Sequence, residues 1–498
     1  MINNKIDYNK MNTNKNNKDT EYIGKGSYGV VTKNGNVVTK KCKIFCYQDQ
    51  DDDFYLDDHS IREAIFYQTV TKDRLTAKDS DGKIISKFYD LIPSVNVTIQ
   101  HNHSLLFEMN YLGLTMNNFK YSNKEKTIIL FSFILHSLHS LHINGFSHGD
   151  LKPENILINS KTLKPTIIDY GSICFWHDSS IHPNSYQRCT LYYVSPEELS
   201  NVSYSDKNDM WSFGVILFEW ITGLSFIRTL LKECGVSEKE LEMFYEYTRN
   251  IKTDNAFNPT LYLTNFYNSI QYGQIFSSIT KHIKDRDFIK VIGHCLLKDT
   301  NTRCTASKLL ESDIFKSYAS LYQNNEDHKN EEICEMNDIE RENMHDLIWK
   351  WCETNHKFNT SIYGHSIMLF DRLLLRINNS KQYIPYTVLG LCCIVLSSMI
   401  LKGNLIRAST IIMIHNDYIQ NITNEIDIKE IDIKEIKYYL GLIFSVSQFL
   451  LFNKSPDMSL LEENIEIDYT IYRECCKKYL LTSSTTDFII KKYKEQLQ

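Results

Sequence analysis

The sequence feature that most restricts the possible folds is the octapeptide H-G-D-L-K-P-E-N at residues 148–155, followed by a D-Y-G tripeptide that begins at Asp169. Asp150 is a candidate acceptor for the proton of a hydroxyl group, and Lys152 can neutralise charge on a phosphoryl group. Asn155 and Asp169 supply oxygen atoms, the hard ligands that Mg²⁺ prefers. This spacing predicts a site that handles a magnesium-bound phosphate.

A glycine-rich segment near the N-terminus is a second candidate for contacts to phosphate. Its spacing is G-x-G-x-x-G-x-V, and its candidate nucleotide-binding residues are Gly24, Lys25, Gly26, Ser27, Gly29 and Val31. Glycines allow the backbone to fold closely over phosphate groups with its N–H groups exposed. A dinucleotide-binding fold shares the spacing but requires a helix that begins at the loop. Here an Asn34-Gly35 turn between β-branched residues predicts a β-hairpin instead.

Two further charged residues are expected in such a site. One is a lysine on the third strand, and the other is a glutamate on the following helix. The run V-V-T-K-K supplies the lysine: Lys40 fits the expected spacing, whereas Lys41 requires a shift of one residue. The glutamate is Glu63, within a helix predicted over Ser60–Val70 with Ser60 as its N-cap.

The strands that follow predict a small β-rich lobe. They are expected over Asn96–Gln100 and Ser104–Met109. Glu108 and Met109, at the end of the second of these strands, are further candidate nucleotide-binding residues. The acidic run between residues 49 and 58 is interpreted as a solvated loop.

A larger helical region follows the β-rich lobe. Helical periodicity dominates from residue 122, interrupted by a strand pair near residues 156–158 and 166–168. Two apolar runs, residues 386–401 and 438–452, are shorter than the roughly 20 residues that span a bilayer. They predict buried core helices, so a membrane is not an expected partner.

Composition limits the partners and the compartment. The formal net charge of −6 and the sequence pI of about 6.3 provide no basic field to bind nucleic acid. Residues 1–20, rich in Asn and Lys, are expected to form a disordered tail and lack the apolar core of a signal peptide. The 13 cysteines form no Cys-x-x-Cys units, which favours reduced thiols in the cytoplasm or nucleus.

These residues resemble the eukaryotic protein kinase superfamily over residues 21–317. The tripeptide S-P-E at residues 195–197 resembles the family's A-P-E, and Arg303 stands where the buried partner of Glu197 is expected. The resemblance implies an α+β fold with a small β-rich N-lobe and a helical C-lobe, with ATP and Mg²⁺ as cofactors. It also implies a protein substrate, and D-L-K-P-E-N favours Ser or Thr as the acceptor.

Within the superfamily, the sequence looks most like the cyclin-dependent Ser/Thr kinases. The segment I-G-K-G-S-Y-G-V-V at residues 23–31 is similar to their I-G-E-G-T-Y-G-V-V, and S-I-R-E at residues 60–63 to the end of P-S-T-A-I-R-E. The segment T-L-Y-Y at residues 190–193 is similar to their T-L-W-Y. Ser27 and Tyr28 match inhibitory phosphorylation sites in that family.

The C-terminal part resembles a cyclin box. After a charged linker over residues 318–341, D-R-L-L begins at Asp371 and V-L-G-L-C-C-I-V-L-S-S covers residues 388–398, while Lys357-Phe358 matches an earlier position. The resemblance implies an all-α cyclin-like domain over residues 342–498 that activates the kinase in cis; a generic helical bundle is the alternative. A tethered partner acts at an effective concentration up to the millimolar range, so weak contacts would suffice.

Departures from the family concern its phosphate-operated activation. In cyclin-dependent kinases three arginines bind a phosphorylated residue, which corresponds to Ser185. Only Arg62 keeps its arginine, and Gly149 and Cys174 occupy the other two positions. Because the charge-assisted contacts are lost, phosphorylation of Ser185 is not expected to be the main on-switch.

Two more departures concern the substrate and the docking of the cyclin-like domain. Val194 replaces the arginine linked to a preference for proline after the acceptor, which puts proline direction in doubt. Met399 replaces the cyclin lysine that reaches the activating helix, and Lys402, about one turn later, is the alternative.

Two other functions compete with a protein kinase. One is a pseudokinase scaffold, against which the complete set of catalytic residues argues; the other is a small-molecule or lipid kinase, against which Glu197 and Arg303 argue. The composition is rich in Asn, Lys and Ile, and together with a fusion of kinase and cyclin-like regions it suggests a large DNA virus or a protist as the source. If the chain is viral, it is expected to act inside the host cell.

Overall fold

The computed structural model describes most of the chain, with gaps. The described residues are 20–25, 29–47, 53–72, 76–78, 84–87, 92–100, 104–121, 123–174, 190–200, 205–248, 258–316, 339–354, 360–380, 384–402, 406–422, 431–447, 467–478, 481 and 486–496. Several predictions fall outside them: the tail before Thr20, Gly26, Ser27, Tyr28, Ser185, Lys357-Phe358 and the linker up to residue 338.

The N-terminal lobe is built on an antiparallel sheet with the strand order β1-β2-β3-β9-β8. Its elements are β1 Thr20–Lys25, β2 Gly29–Asn34, β3 Val37–Lys43, β4 Phe45–Tyr47, β5 Phe54–Leu56, α1 Asp58–Lys72, β6 Thr76–Lys78, β7 Ile84–Lys87, β8 Val95–Gln100 and β9 Ser104–Asn110. The predicted hairpin is confirmed, with Asn34 opposite Val37 and Gly35 at a φ of 58°, a left-handed conformation that favours glycine.

The start of α1 differs from the prediction. The helix begins at Asp58 rather than Ser60, and Ser60 lies within it, donating its hydroxyl to Asp57 Oδ2 at 3.0 Å. The N–H of Ile61 also donates to the carbonyl of Asp57, so Asp57 precedes the helix in the place of an N-cap. Asp57 and Asp58 therefore place negative charge at the N-terminus of α1, which stabilises the helix. Composition alone does not reveal this role.

The interpretation of residues 49–58 as a solvated loop is wrong for the described part. Residues 54–56 form β5, which pairs antiparallel with β4. Phe54 and Leu56 are buried because they alternate with Tyr55 and point into the lobe. The many aspartates made the whole run look polar, so the short alternation of apolar residues at 54–56 was not recognised as a strand.

The C-terminal lobe is mainly helical. Its elements are β10 Leu114–Thr115, α2 Lys124–Ile143, β11 Ile156–Ile158, β12 Pro165–Ile167, α3 Pro196–Leu199, α4 Asp206–Thr222, α5 Phe226–Glu233, α6 Glu238–Thr248, α7 Pro259–Ser269, α8 Tyr272–His282, α9 Arg286–Cys295 and α10 Ala306–Leu310. The small sheet β10-β11-β12 includes the predicted strand pair, and the octapeptide loop leads directly into its central strand β11.

One helix of this lobe resembles a membrane span in length and composition. Among the described residues α2 would suffice to cross a bilayer, as would the bent pair α4 and α5. However, 67% of the apolar window of α2 is buried inside the lobe, as in the core helix of a globular fold.

The described residues from 339 onward form a helical domain. Its helices are α11 Ile339–Thr354, α12 Tyr363–Ser380, α13 Tyr386–Lys402, α14 Ala408–Ile422, α15 Ile433–Ser447, α16 Tyr469–Lys478 and α17 Thr486–Gln496. The helix α13 packs against α11, α12, α14 and α15, which explains why it is apolar on all sides. The prediction that residues 386–401 form a buried core helix is confirmed.

A buried ion pair fixes the start of this domain. Arg341 donates from Nε and Nη2 to both oxygens of Asp371, at 2.8 and 2.7 Å. His345 Nε2 lies 3.0 Å from the same carboxylate, and the N–H of Leu481 donates to it. The predicted linker over 318–341 is therefore too long, because its last residues belong to α11.

Candidate active site

Lys40 is the centre of a cluster of charges between the two lobes. Its Nζ donates to Glu63 Oε2 at 2.7 Å and to Asp169 Oδ1 at 2.8 Å. Strand β3 directs Lys40 toward α1, whereas the side chain of Lys41 alternates to the other face and is exposed. The structure therefore brings together Lys40, Glu63 and Asp169, and leaves Lys41 outside the cluster.

The cluster keeps Lys40 and Asp169 charged at neutral pH, whereas burial raises the pKa of Glu63 to about 7. Burial disfavours the ammonium form of Lys40, but the carboxylates of Glu63 and Asp169 outweigh this and raise its pKa. Burial alone would raise the pKa of Asp169, but the Lys40 ammonium lowers this pKa to about 2. Asp169 is thus a carboxylate at neutral pH and can bind a cation.

The side chains of Asp150 and Lys152 both contact the hydroxyl group of Thr190. Lys152 Nζ donates to Asp150 Oδ2 at 2.5 Å and to the Thr190 hydroxyl at 2.9 Å. The Thr190 hydroxyl donates to Asp150 Oδ1, also at 2.9 Å. This distance lies within the range in which a carboxylate can accept a proton. Burial raises the pKa of Asp150 although Lys152 opposes this effect.

The octapeptide loop is held from below by Asp209 at the start of α4. The carboxylate of Asp209 accepts the N–H groups of His148 and Gly149, at 2.8 and 3.1 Å, and contacts His142 Nε2 at 2.9 Å. Asn155 Nδ2 donates to the carbonyl of Asp150 at 2.9 Å. These contacts fix the backbone of the loop on both sides of Gly149 and so hold the position from which the Asp150 side chain extends.

The D-Y-G tripeptide is packed against α1. Tyr170 is buried and stacks on Phe66 with ring centroids 4.2 Å apart. A Cβ on Gly171 would lie 1.9 Å from the imidazole of His59, so only glycine fits there. Asp169 has a φ of 66°, a strained conformation for a non-glycine residue. The packing of Tyr170 and Gly171 on α1 therefore sets where the Asp169 carboxylate points.

The comparisons with known proteins agree with this arrangement. The family model described as "Protein kinase domain" matches residues 18–315, which is more than half of the chain. The chain belongs to the protein kinase domain family.

Similar proteins carry kinase names. Dual specificity tyrosine-phosphorylation-regulated kinase 3 of Rattus norvegicus is 29% identical over 222 residues, covering 40% of this chain and 33% of the relative. Serine/threonine-protein kinase PKH2 of Candida albicans is 29% identical over 215 residues, 40% of this chain and 21% of the relative. Serine/threonine-protein kinase Doa of Drosophila melanogaster is 28% identical over 240 residues, 42% and 27% respectively. The chain spans about a third or less of the length of these relatives.

The glycine-rich segment of the kinase domain is described in part. Gly24 and Lys25 end β1 and Gly29 begins β2, whereas Gly26 and Ser27 lie outside the described residues. A Cβ on Gly29 would lie 2.7 Å from Cys42 Sγ, so glycine permits the close approach of β2 to β3. Val31 pairs with both Gly24 and Lys40, which places it between the glycine segment and the lysine.

Glu108 and Met109 lie on β9, the strand next to Lys40. Lys40 is paired with Phe107, and its Nζ lies 5.9 Å from the centre of that ring. Glu108 is opposite Thr39 and accepts a long hydrogen bond from Asn96 at 3.5 Å. Glu108 and Met109 therefore lie on the part of β9 that runs from beside Lys40 to the connection between the lobes.

The residues fit magnesium by donor chemistry. Asp169 offers a charged carboxylate, and Asn155 offers an amide oxygen because its nitrogen donates to Asp150. His59, Glu63 and Asp169 also place one ligand atom each within 4.8 Å of one another, but the Lys40 ammonium already binds both of those carboxylates. By donor chemistry, Asn155 and Asp169 are thus the residues that could hold magnesium.

The predicted pair of Glu197 and Arg303 is present in the C-lobe. Arg303 donates from Nη1 and Nη2 to the two carboxylate oxygens, at 2.5 and 2.9 Å, in a bidentate contact. Arg303 is buried and also donates from Nε to the carbonyl of Leu297. The pair anchors the segment that carries Thr190 to the body of the lobe.

Sequence reasoning pointed to position 399 as a contact to α1 from outside the kinase domain, but it missed that the contact is made by backbone carbonyls to Arg62. Arg62 Nη1 donates to the carbonyl of Met399 at 2.9 Å and to that of Ile400, in the last turn of α13. Met399 takes part through its backbone, and the side chain of Lys402 lies outside the described residues. A backbone acceptor leaves no signal in a sequence, so only the fold could reveal this contact.

Proposed function

We propose that this chain is an ATP- and Mg²⁺-dependent protein kinase that transfers the γ-phosphoryl group to Ser or Thr hydroxyls of a protein substrate. The observation that carries the proposal is the hydroxyl of Thr190 held between Asp150 Oδ1 and Lys152 Nζ. A carboxylate and a cation at one hydroxyl are what phosphoryl transfer to an alcohol requires.

The nucleotide side follows from the cluster around Lys40. Lys40 binds the α- and β-phosphates while Glu63 holds its ammonium in place. The glycine-rich segment covers the phosphates through its N–H groups, and Glu108 and Met109 lie beside the nucleotide. When bound, magnesium at Asn155 and Asp169 neutralises charge on the phosphates.

On the acceptor side, the chain's own residues position and deprotonate the hydroxyl. Asp150 accepts its proton, and the raised pKa of this buried carboxyl strengthens it as a base. Lys152 stabilises negative charge on the transferred group. Asp209 holds the backbone of the loop that carries both residues, and the two side chains bind each other.

Phosphate incorporation into a generic basic protein tests the assignment. Full-length protein with ATP and Mg²⁺ is expected to transfer phosphate, and Asp150→Asn is expected to lose about 10²–10⁴-fold because the base is removed. Asp313→Asn, the same type of change at an exposed residue that pairs with Lys316, is the matched control. Incorporation that persists in Asp150→Asn would exclude this role for Asp150, and an inactive wild-type chain would favour a scaffold.

We also propose that the helical domain is a cyclin-like domain that activates the kinase in cis. Three contacts to the N-lobe support this. Arg62 on α1 binds the end of α13, as described above. Asp53, just before β5, accepts the N–H and hydroxyl of Ser409 in the first turn of α14. Lys437 on α15 lies over the rings of Phe45 and Tyr47.

The first two contacts are electrostatically matched. The C-terminus of a helix carries partial negative charge and its N-terminus partial positive charge. Arg62 therefore meets the negative end of α13, and the carboxylate of Asp53 meets the positive end of α14. Docking in this orientation presses α13 against α1, which carries Glu63, and supports the Lys40–Glu63 pair.

Charge reversal at the interface tests activation in cis. Asp53→Lys places a cation at the positive end of α14, and Lys437→Glu removes the contact with the two rings. Each change is expected to lower phosphate transfer by about tenfold, since helix-end contacts are worth up to about 2 kcal/mol and a cation over an aromatic ring about 0.5–2 kcal/mol. Asp313→Lys is the control for charge. Full activity of both interface variants would leave the domain without an activating role.

A further inference from the structure

We propose that Arg62 is a positioning residue that ties the segment after the D-Y-G tripeptide to the helical domain through backbone carbonyls, so that docking of the domain, and not a phosphate, fixes that segment. This inference rests on the proposed cis-activating role of the helical domain and adds the residue that carries it.

Arg62 stands where three parts of the chain meet. One end of its guanidinium, Nη1, donates to the carbonyls of Met399 and Ile400. The other end, Nη2, donates to the carbonyl of Ile173, four residues after Asp169. One rigid, planar side chain on α1 thus binds the helical domain and the segment after D-Y-G at once.

The carbonyl acceptors at the end of α13 are suited to a cation. The carbonyls of Met399 and Ile400 belong to the last turn of α13, where carbonyls lack partners within the helix. Arg62 is 3% exposed, and burial lowers its pKa only to about 10, so it stays charged at neutral pH. Its contacts are made inside the protein, with the carbonyls of Met399, Ile400 and Ile173.

Gly149 allows the segment to approach this point. Its φ is 77°, and a Cβ there would lie 2.4 Å from the carbonyl oxygen of Ser172. Ser147 and Cys174 exchange backbone hydrogen bonds of 3.1 and 2.8 Å beside it. A side chain at position 149 would push the segment away from the catalytic loop and away from Arg62.

The geometry gives Arg62 and Gly149 complementary tasks. Gly149 admits the segment close to the catalytic loop, and Arg62 holds it there by Ile173. If the helical domain separates from α1, Arg62 loses two of its acceptors and becomes a buried cation with reduced compensation. The placement of the segment and the docking of the domain are therefore coupled through one side chain.

Hydrogen exchange of the full-length protein tests the coupling without any need for activity. The readout is the N–H of Cys174, which donates to the carbonyl of Ser147. Arg62→Gln is expected to speed its exchange by about tenfold, because one charge-assisted contact to the segment is removed. Peptides from α13 are expected to exchange faster as well.

Arg376→Gln is the matched control. Arg376 also donates to a backbone carbonyl, that of Ser447 at 2.7 Å, but it lies within the helical domain. Exchange at Cys174 is expected to stay at the wild-type rate in this variant. Equal exchange at Cys174 in Arg62→Gln and wild type would overturn the proposal. If Arg62→Gln does not fold, Arg62→Lys, which keeps the charge but cannot reach both sides, replaces it with the same expected direction.

Gly149→Arg gives an independent test through activity. If the only effect of Gly149 were the absence of a positive charge beside the segment, an arginine at this position would preserve or raise phosphate transfer. The steric argument predicts the opposite, a loss of about tenfold or more. Preserved activity would refute the role given to Gly149. An inactive wild-type chain would instead refute the proposed function, while the exchange measurement on Arg62 would still decide the coupling.

Discussion

The kinase domain and the helical domain each contain a buried cluster of charges, and the two clusters are built for different tasks. In the first, Lys40 joins Glu63 and Asp169, and the Asp169 side chain is 30% exposed at the cleft. In the second, Arg341 and His345 surround Asp371, and all three side chains are fully buried.

The difference lies in what completes each cluster. The Asp371 carboxylate accepts the N–H of Leu481, and Arg341 also donates to the carbonyls of Lys477 and Cys476, so the protein itself satisfies the cluster. Asp169 keeps an open side toward the cleft, where a cation can bind. A closed cluster stabilises a fold, whereas an open one of similar chemistry serves binding and catalysis.

The largest expected effect is on stability, from the closed cluster. Asp371→Ala leaves Arg341 as an uncompensated buried cation and is expected to cost about 3–5 kcal/mol in the free energy of unfolding. Denaturant unfolding of full-length protein measures this cost. Asp346→Ala, which removes a half-exposed partner of Arg473 and Lys477, is expected to cost about 1 kcal/mol or less. Equal costs for the two variants would contradict the comparison.

The open cluster should give the converse result. Lys40→Met is expected to lower phosphate transfer by about 10²–10³-fold, because a preorganised cation at the phosphates is lost. Its free energy of unfolding should change by less than that of Asp371→Ala, since Met fills the same volume and Asp169 remains open to solvent. Kinetics and unfolding of the same preparation separate the two quantities. Lys41→Met is the control, since Lys41 is exposed.

Acidification should affect catalysis before it affects the closed cluster. Burial raises the pKa of Asp150 above the ordinary aspartate value of about 4. Its carboxylate form, which accepts the proton, is therefore lost at a higher pH than that of an ordinary aspartate. Burial would also raise the pKa of Asp371, but His345 and Arg341 lower it instead. Its stabilising contribution is therefore complete above about pH 4 and is lost only below it.

A pH profile of phosphate transfer beside thermal unfolding at each pH measures both effects. The difference in stability between wild type and Asp371→Asn should stay constant from neutral pH down to about pH 4. A stability difference that shrinks while activity is still complete would reverse the assignment of the two clusters.

The smallest expected effect is at Ser185, which lies outside the described residues. Arg62, the one arginine of the three that this sequence keeps, already donates to carbonyls on both sides, so its guanidinium is engaged by the protein itself. Ser185→Ala is therefore expected to change phosphate transfer by about twofold at most, and phosphatase treatment should do the same. A loss of about a hundredfold would contradict this view.

Sequence patterns predicted much of the kinase domain because its chemistry depends on residue type and spacing. The hairpin at Asn34-Gly35 and the strands β8 and β9 are present as expected, and so, in the helical domain, is the buried helix over residues 386–401. The start of α1 and strand β5 were predicted wrongly, because single aspartates and short apolar alternations depend on what packs against them.

The sequence by itself determined which side chains could perform phosphoryl transfer, since Asp150, Lys152, Asn155 and Asp169 each occupy a fixed spacing. Only the tertiary structure decided between Lys40 and Lys41, because the direction of a side chain on β3 depends on the register of the sheet. It also decided the partner of Arg62. Backbone carbonyls are present at every residue, so only the placement of α13 against α1 shows which of them an arginine can reach.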